Sequence, residues 1–270
     1  MRRTLCPAEE KEITMADNGI RINKFISDAG LASRRGADQL IADGRVTIRK
    51  AGEGSPISVT SGERVMPGDE VYLDGTLIEN EKSGFTYIML NKPVGIICTG
   101  DRRTPDNVMD FLTAPEKVTY VGRLDKESSG LLLMTDDGEL NNEMMRAARG
   151  HEKEYLVTVN KPLSEDFLRQ MRSGVVIMVP DKQHVEHEVK TRPCKVRVLG
   201  EKRFAITLTQ GLNRQIRRMC RRLGYKVLSL KRVRLMSLKL GSLPEGQWRY
   251  LTEDEVVALK KEVEKRKTDS

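Results

Sequence analysis

Apolar residues in the first third of this chain recur with helical spacing and then give way to short strand-like runs. The positions between 22 and 29 repeat every three or four residues, which predicts one face of a short helix. Ser33 can cap a second helix with its apolar face at 37–41. Short β-prone runs separated by Gly, Ser and Pro continue to residue 80. Residues 19–80 are therefore predicted to form a small α+β domain.

The pattern changes after residue 85, where strand-like runs outnumber helical ones. The two kinds of run do not alternate regularly, which argues against a doubly wound parallel sheet. We predict an α+β domain over residues 85–255 with a mixed, mostly antiparallel sheet. Residues 87–95 are predicted to be a strand that runs into a turn, and further strands are predicted at 118–121, 131–135, 155–159, 194–199, 204–209, 225–230 and near 248–251. The predicted helices are 139–148, 164–172 and 213–223.

Three segments lack a core-forming pattern. Residues 1–18 are polar and aperiodic, which predicts a disordered tail, and Met15 is a candidate for the true start. Residues 79–84 are interpreted as a polar linker, and 256–270 as a charged tail.

The charge of the chain points to a polyanionic partner. The net charge is +8 and the pI is about 9.3, values typical of proteins that bind nucleic acid or an anionic membrane. The sequence has neither an apolar run near the roughly 20 residues that span a bilayer nor a signal-peptide pattern. We therefore expect a cytoplasmic, monomeric protein that binds nucleic acid and no membrane.

The cysteines and histidines do not suggest a metal site. The four cysteines form no Cys-x-x-Cys pair, so neither structural zinc nor a disulfide framework is expected. His184 and His187 form a His-x-x-His pair in a segment that favours a loop or strand, and they are interpreted as surface residues. We assign no metal.

One carboxylate stands out as a candidate for chemistry. Asp125 lies two residues after Arg123, and a polar stretch then leads into the apolar run 131–134, a predicted buried strand. Ser128 and Ser129 lie nearby without a histidine in the motif, so a serine nucleophile is disfavoured. A single acid between a cation and a strand end is a plausible catalytic group.

A strongly basic segment follows later in the chain. Residues 202–239 contain 12 Lys and Arg and no Asp or Glu, which predicts a surface of uncompensated cations for a nucleic-acid backbone. Asn213 is predicted to cap the helix here, with Arg214 and Arg218 on its exposed faces. Arg217 lies between apolar positions and should point inward, where it needs a carboxylate. Asp125 is the expected partner, and the pair would keep that acid ionised and oriented.

Residues 21–46 resemble the small RNA-binding domain first described in a ribosomal small-subunit protein. The matching segments are Arg-Ile-Asn-Lys-Phe-Ile at 21–26, Gly-Leu-Ala-Ser-Arg-Arg at 30–35 and Gly-Arg-Val at 44–46. Arginine at a helix N-terminus opposes the helix dipole, a misfit that favours a binding role. The predicted RNA-binding side chains are Lys24, Arg34, Arg35 and Arg45.

The larger domain resembles the RsuA-type pseudouridine synthases of ribosomal RNA, most closely the F-type large-subunit branch. The resemblance is carried by Gly-Arg-Leu-Asp at 122–125 with the Ser-Ser-Gly-Leu-Leu-Leu that follows, Lys-Glu-Tyr-Leu-Val at 153–157, and Gln-Ile-Arg-Arg-Met at 215–219. Asn-Lys-Pro at 91–93 also matches. The two resemblances together cover roughly residues 20–255.

This resemblance implies isomerisation of uridine in large-subunit ribosomal RNA, with transfer RNA as a possible second substrate and without cofactor or metal. Asp125 would attack the sugar or abstract a proton from it, and Tyr155 would stack on the uracil. Arg217 would pair with Asp125, and Leu208 would wall the base pocket. Arg123 would fill the gap left by the flipped-out nucleotide, because a stacked base cannot reach the acid.

Two other classes of function remain open. A non-catalytic RNA-binding or ribosome-assembly factor would keep the basic surfaces without needing Asp125. A carboxylate-dependent hydrolase or glycosylase would normally require a second acid, and none is evident in the motif.

Overall fold

The computed structural model describes residues 19–78, 84–114, 117–146, 150–181 and 183–268. These residues form two compact units that divide between Gly84 and Phe85. The predicted disordered tail 1–18, with Met15, and all but the last residue of the predicted linker lie outside the described residues. No helix in the described ranges is long and apolar enough to cross a membrane.

The N-terminal unit packs two helices against short strands. Ser33 caps the second helix as predicted, since its Oγ accepts a hydrogen bond of 3.1 Å from the amide of Gly36. Ile22 and Ile26 of the first helix are fully buried against Val46, Ile48 and other apolar side chains of this unit. The elements are α1 (Ile22–Asp28), α2 (Arg34–Ala42), β1 (Ile20–Arg21), β2 (Val46–Arg49), β3 (Ile57–Ser58), β4 (Arg64–Val65), β5 (Glu70–Leu73) and β6 (Thr76–Leu77).

The second unit is built on a nine-stranded sheet. Seven strands follow the order β13-β14-β10-β15-β9-β7-β17, while β16 pairs with β15 and β8 with β9. The strands are β7 (Tyr87–Lys92), β8 (Thr119–Val121), β9 (Ser129–Thr135), β10 (Lys153–Val159), β13 (Lys195–Gly200), β14 (Arg203–Leu208), β15 (Val227–Leu235), β16 (Leu238–Lys239) and β17 (Trp248–Tyr250). The β9–β15 pair is parallel and the other pairs of this sheet are antiparallel. The predicted mixed, mostly antiparallel α+β domain is confirmed.

Five helices and a separate hairpin complete this unit. The hairpin pairs β11 (Val176–Pro180) with β12 (Glu186–Lys190). The helices are α3 (Val108–Phe111), α4 (Gly138–Met145), α5 (Glu165–Ser173), α6 (Gln215–Arg222) and α7 (Glu253–Thr268). Asp137 caps α4 by accepting a hydrogen bond of 2.9 Å from the Leu140 amide.

Both faces of the sheet are covered, because successive residues of a buried strand point to opposite sides. Leu131 and Leu133 of β9 pack with side chains of α4 and α7 on one face. Leu132 and Met134 point to the other face and join a cluster near α3. A further cluster lies under α5 and α6 and includes residues of β10 and β14. Tyr155 packs against both of these last two clusters and so marks where they meet.

The prediction that the chain from residue 256 is only a charged tail is wrong. Residues 253–268 form α7, and Leu259 and Val263 are buried in the core. The two apolar residues are four apart and therefore lie on one face of the helix. Because charged residues surround them, this narrow apolar stripe is easily mistaken for a solvated segment.

The predicted cap of α6 is also wrong. The helix begins at Gln215, and its N-cap is Arg214, in a left-handed conformation with φ 49°. The side chain of Gln215 accepts a hydrogen bond of 3.1 Å from the Leu212 amide. Asn213 instead accepts a hydrogen bond from Arg218. This local network replaces the side-chain cap that Asn213 was expected to supply.

Candidate active site

A cavity of about 480 Å³ opens beside Tyr155, where the apolar cluster under α5 and α6 meets the apolar cluster near α3. Its walls come from the 122–128 loop, from the ends of β10 and β14, and from the 209–216 segment before α6. The cavity brings together Arg123, Asp125, Tyr155, Leu208 and Arg214, which come from three separate segments of the sequence. Arg217 reaches Asp125 from α6, although neither Arg217 nor Arg218 lines the cavity.

The loop that carries Asp125 is held by hydrogen bonds on both sides of the acid. The Ser128 amide donates to the Asp125 carbonyl at 3.0 Å, and the Gly95 amide donates to the Lys126 carbonyl at 2.8 Å. Leu124 is buried, and its amide donates to Cys98 Sγ at 3.5 Å. The Asp125 side chain itself remains 31% exposed. The backbone is thus fixed while the carboxylate faces the cavity.

Arg217 holds this loop more than it holds the carboxylate. Its Nε lies 3.9 Å from Asp125 Oδ2, which is an ion pair beyond hydrogen-bond distance. Its Nη2 donates to the Glu127 carbonyl at 2.7 Å and to Ser128 Oγ at 3.2 Å. Burial lowers the pKa of the Arg217 guanidinium, Arg214 adds to this effect, and Asp125 and Glu127 oppose it. The arginine therefore positions the acid through its backbone as well as by charge.

The prediction that the cations of residues 202–239 have no acidic partners is wrong for several of them. Four arginines of the 202–239 segment have acidic partners from other parts of the chain, because the fold brings in Asp and Glu residues that are distant in sequence. The pairs are Arg214 with Glu127 at 2.8 Å, Arg217 with Asp125 at 3.9 Å, Arg218 with Glu186 at 3.3 Å, and Arg234 with Glu152 at 3.0 Å and Glu154 at 3.1 Å. Arg232 is 2% exposed and lies in the protein interior.

Tyr155 and Leu208 form part of the cavity wall. In the β10–β14 register, Lys153 faces Leu208 and Tyr155 faces Ile206. Tyr155 is partly buried and Leu208 is almost fully buried. The wall beside Asp125 is therefore an aromatic ring next to an aliphatic side chain, a surface suited to a flat base.

Arg123 differs from the other arginines at the cavity. Its side chain is exposed, and within the described part of the chain it has neither a hydrogen bond nor an ion pair. It therefore remains available to a ligand at the cavity mouth.

The predicted RNA-binding residues of the N-terminal unit are of two kinds. Arg34 and Arg35 are exposed at the start of α2 and have no acidic partner among the residues described. Lys24 lies 3.2 Å from Asp28, and Arg45 Nε donates to Asp74 at 2.9 Å. Arg34 and Arg35 thus offer the more available charge.

Comparison with known proteins is consistent with this arrangement. Residues 86–222 match the family model described as RNA pseudouridylate synthase, and residues 20–48 match the S4 domain. The chain belongs to the RNA pseudouridine synthase family. The matched ranges include Asp125, Tyr155 and Arg217, as well as Arg34 and Arg35 of the N-terminal unit.

Individual pseudouridine synthases resemble the chain over most of its length. It is 44% identical to the dual-specificity RNA pseudouridine synthase RluF of Escherichia coli strain K12, over 93% of this chain and 81% of that protein. It is 34% identical to the ribosomal large subunit pseudouridine synthase B of Bacillus subtilis strain 168, over 89% of this chain and 95% of that protein. A crystal structure of a pseudouridylate synthase superposes with a TM-score of 0.60 at 31% identity, and the match covers 89% of this chain and 100% of that one.

Sequence reasoning overlooked Arg232 as a cavity residue of this synthase. The residue was predicted only as one of the surface cations of residues 202–239, whereas in the structure it is buried and lines the cavity. The available signal was its position two residues after the buried Leu230 in a strand, which places both side chains on one face. His184 and His187 are exposed, as predicted. In the described ranges, no three His, Cys, Asp or Glu side chains are grouped so as to hold a metal ion.

Proposed function

We propose that the chain isomerises a uridine to pseudouridine in large-subunit ribosomal RNA, with Asp125 as the catalytic carboxylate. The observation that carries the proposal is the position of Asp125 in a cavity beside Tyr155, with Arg217 behind it, in a chain of the pseudouridine synthase family. The choice of large-subunit RNA rests on the resemblance to the named relatives. Transfer RNA is the second candidate substrate.

The proposed reaction begins with the target nucleotide turned out of its helix. Extrusion costs a few kcal/mol because stacking and pairing are lost. Arg123 offsets part of this cost, since an unpaired guanidinium can stack in the gap and contact phosphate. Tyr155 stacks on the uracil, and Leu208 closes the pocket beside it. Asp125 then attacks C1′ or removes the proton from C2′, and Arg217 holds it in place.

The direct test measures tritium release from carbon five of uridine in ribosomal RNA transcripts. We expect release with the wild-type protein and a loss of at least about a thousand-fold for Asp125→Asn, because that variant removes the reacting group. Asp101→Asn is the matched control, since Asp101 is an exposed loop acid paired with Arg103. No release from any RNA would contradict the proposed activity, and RNA binding without release would favour an assembly factor. Full release by the Asn variant would contradict the role of Asp125.

The N-terminal unit is proposed to bind RNA through the start of α2. Replacing Arg34 and Arg35 with alanine should weaken RNA binding and reduce the slope of log affinity against log salt by about one for each lost phosphate contact. Arg169→Ala is the control, because Arg169 pairs with Asp166 on α5. Unchanged binding by the double variant would contradict this role. The monomeric state and the cytoplasmic location remain predictions from the sequence.

A further inference from the structure

A row of cross-strand partners runs beneath the cavity. Lys92 of β7 pairs with Gly130 of β9, Gly130 pairs with Arg232 of β15, and Arg232 pairs with Tyr155 of β10. Paired residues of neighbouring strands project from the same face of a sheet. The row therefore puts two cations on the face that carries Tyr155, and Gly130 leaves the position between them without a side chain.

Arg232 has a donor that the protein does not use. Its Nε donates to the Leu131 carbonyl at 2.7 Å. Its Nη2 is buried and has no hydrogen-bond partner, and no carboxylate in the described residues lies within ion-pair distance. Burying a cation without a counter-ion is energetically unfavourable. Arg232 also lines the cavity, so a ligand bound there lies next to the guanidinium that carries this donor.

Lys92 adds to the positive charge behind the cavity. It is fully buried, and its Nζ donates to the carbonyls of Pro93 and Ile96 at 2.8 Å each. Burial lowers the pKa of Lys92, whereas Asp125 opposes this shift and Arg232 adds to it. Among the described residues that line the cavity, Asp125 is the one carboxylate, and the charges of Arg217 and Lys92 act on it from outside the lining. This excess of positive charge stabilises a reacting group that gains negative charge during the reaction.

We propose that Arg232 is a catalytic residue that stabilises the uracil anion as the glycosidic bond breaks. This inference rests on the proposed function and goes beyond it by assigning the leaving group its own cation. Preorganised donors aimed at developing charge often contribute more to catalysis than any other single effect.

The assignment holds for either action of Asp125. If its carboxylate attacks C1′, the C1′–N1 bond breaks and its electron pair leaves with the uracil. If it takes the C2′ proton, elimination breaks the same bond, and the electron pair again leaves with the base. In both cases the uracil carries one negative charge, spread over N1 and the carbonyl oxygens, which can accept from Arg232.

The second half of the reaction also favours an arginine. C5 bonds to C1′ while the bond from C1′ to the Asp125 oxygen breaks, or while the proton returns from Asp125 to C2′. C5 then loses its proton and N1 gains one. An arginine cannot give up a proton in a protein, so it would stabilise the free uracil without neutralising it, and C5 would remain nucleophilic until it rejoins the sugar.

The test compares two leaving groups in the full-length protein. A short RNA carries either the uridine mapped with the wild-type enzyme or 5-fluorouridine at that position, whose fluorine stabilises a base anion. Single-turnover consumption of the target nucleotide is followed by nuclease digestion and mass spectrometry. Arg232→Gln should slow the reaction of uridine about a hundred-fold or more. The factor by which it slows the reaction of 5-fluorouridine should be at least about tenfold smaller, and the affinity for RNA should not change.

The controls separate this role from others. Arg249→Gln removes an arginine of the same sheet that pairs with Glu255, and it should change neither rate. Equal slowing of both nucleotides by Arg232→Gln would overturn the proposal in favour of a structural role, and weaker binding with unchanged single-turnover rates would reveal a phosphate contact instead. If Arg232→Gln fails to fold, Arg232→Lys carries the test, and equal slowing of both nucleotides would overturn the proposal there too. Failure of the wild-type protein to react would contradict the proposed function itself.

Discussion

Gly130 is the position where one added methyl group should do most damage. A Cβ there would lie 2.2 Å from the Arg232 carbonyl oxygen and 2.6 Å from its amide nitrogen, and the φ of Gly130 is +107°. Both clashing atoms belong to the backbone of the neighbouring strand, so a change of side-chain rotamer cannot relieve them. The parallel β9–β15 register consists of Lys231 with Ser129 and Arg232 with Gly130. Gly130→Ala must therefore part the strands that join the two halves of the sheet.

The expected loss of stability follows from two contributions. A non-glycine residue in this backbone region costs about 1–3 kcal/mol. Separating the strands weakens hydrogen bonds of the two-residue register, at about 1 kcal/mol each. We expect the free energy of unfolding of the second unit to fall by roughly 3–5 kcal/mol. The catalytic rate should fall further than the folded fraction, because Arg232 would shift.

Urea unfolding followed by tryptophan fluorescence measures this effect. Trp248 is the sole tryptophan of the chain and lies in β17, so its signal reports on the second unit. Gly200→Ala is the matched control, because a Cβ there meets no atom within 4 Å, and its effect should stay within about 0.5 kcal/mol. A similarly small change for Gly130→Ala would refute the reasoning about the strand junction.

Three further changes test single side chains. Arg123→Ala should change the free energy of unfolding by no more than about 0.5 kcal/mol. In single-turnover assays it should slow isomerisation about 10- to 100-fold, because only the extruded nucleotide loses a partner. An unchanged rate would contradict this role. Glu127→Gln should free Arg214 and steepen the salt dependence of RNA binding by about one unit of slope, so an unchanged slope would count against an RNA role for Arg214. Burial alone would raise the pKa of Asp69, but hydrogen bonds from two backbone amides and Lys50 lower it overall from 3.8. Its stabilisation of the N-terminal unit should therefore be present above about pH 4 and disappear as the pH falls through the lowered pKa; hydrogen exchange of Asp69→Asn and wild type should converge there, and a pH-independent difference would contradict the assignment.

Local rules were sufficient where the decisive contacts are near in sequence. The Ser33 cap depends on an amide three residues away, and the apolar positions on either side of Arg217, Ile216 and Met219, are buried in α6. The order of the sequence motifs was enough to identify Asp125 as the candidate acid. In the two helices the relevant neighbours lie within one turn, whereas Asp125 was identified from motifs spread over residues 91–219.

The errors arose where a neighbour comes from a distant segment. The sequence of α7 contains few apolar residues, and its burial depends on a cluster that includes Leu131 and Leu133, more than 100 positions earlier. The cap of α6 is a local exception, because Gln215 and Arg218, only a few residues away, make the competing hydrogen bonds. Charge counted along the sequence likewise misses acids supplied by other strands, such as Glu127 and Glu186.

The three arginines around Asp125 show why a cation's surroundings matter more than its presence. Arg123 is exposed and unpartnered among the described residues, so solvent screens it and only a bound ligand can use it strongly. Arg217 is mostly buried and bonded to the loop of the acid, so its charge serves the ionised carboxylate. Arg232 is buried with an unused donor, where low polarity makes its charge most effective. If these surroundings set the roles of the three arginines, replacing Arg123 should affect the extrusion of the nucleotide. Replacing Arg217 should affect the positioning of Asp125, and replacing Arg232 should affect the departure of the base.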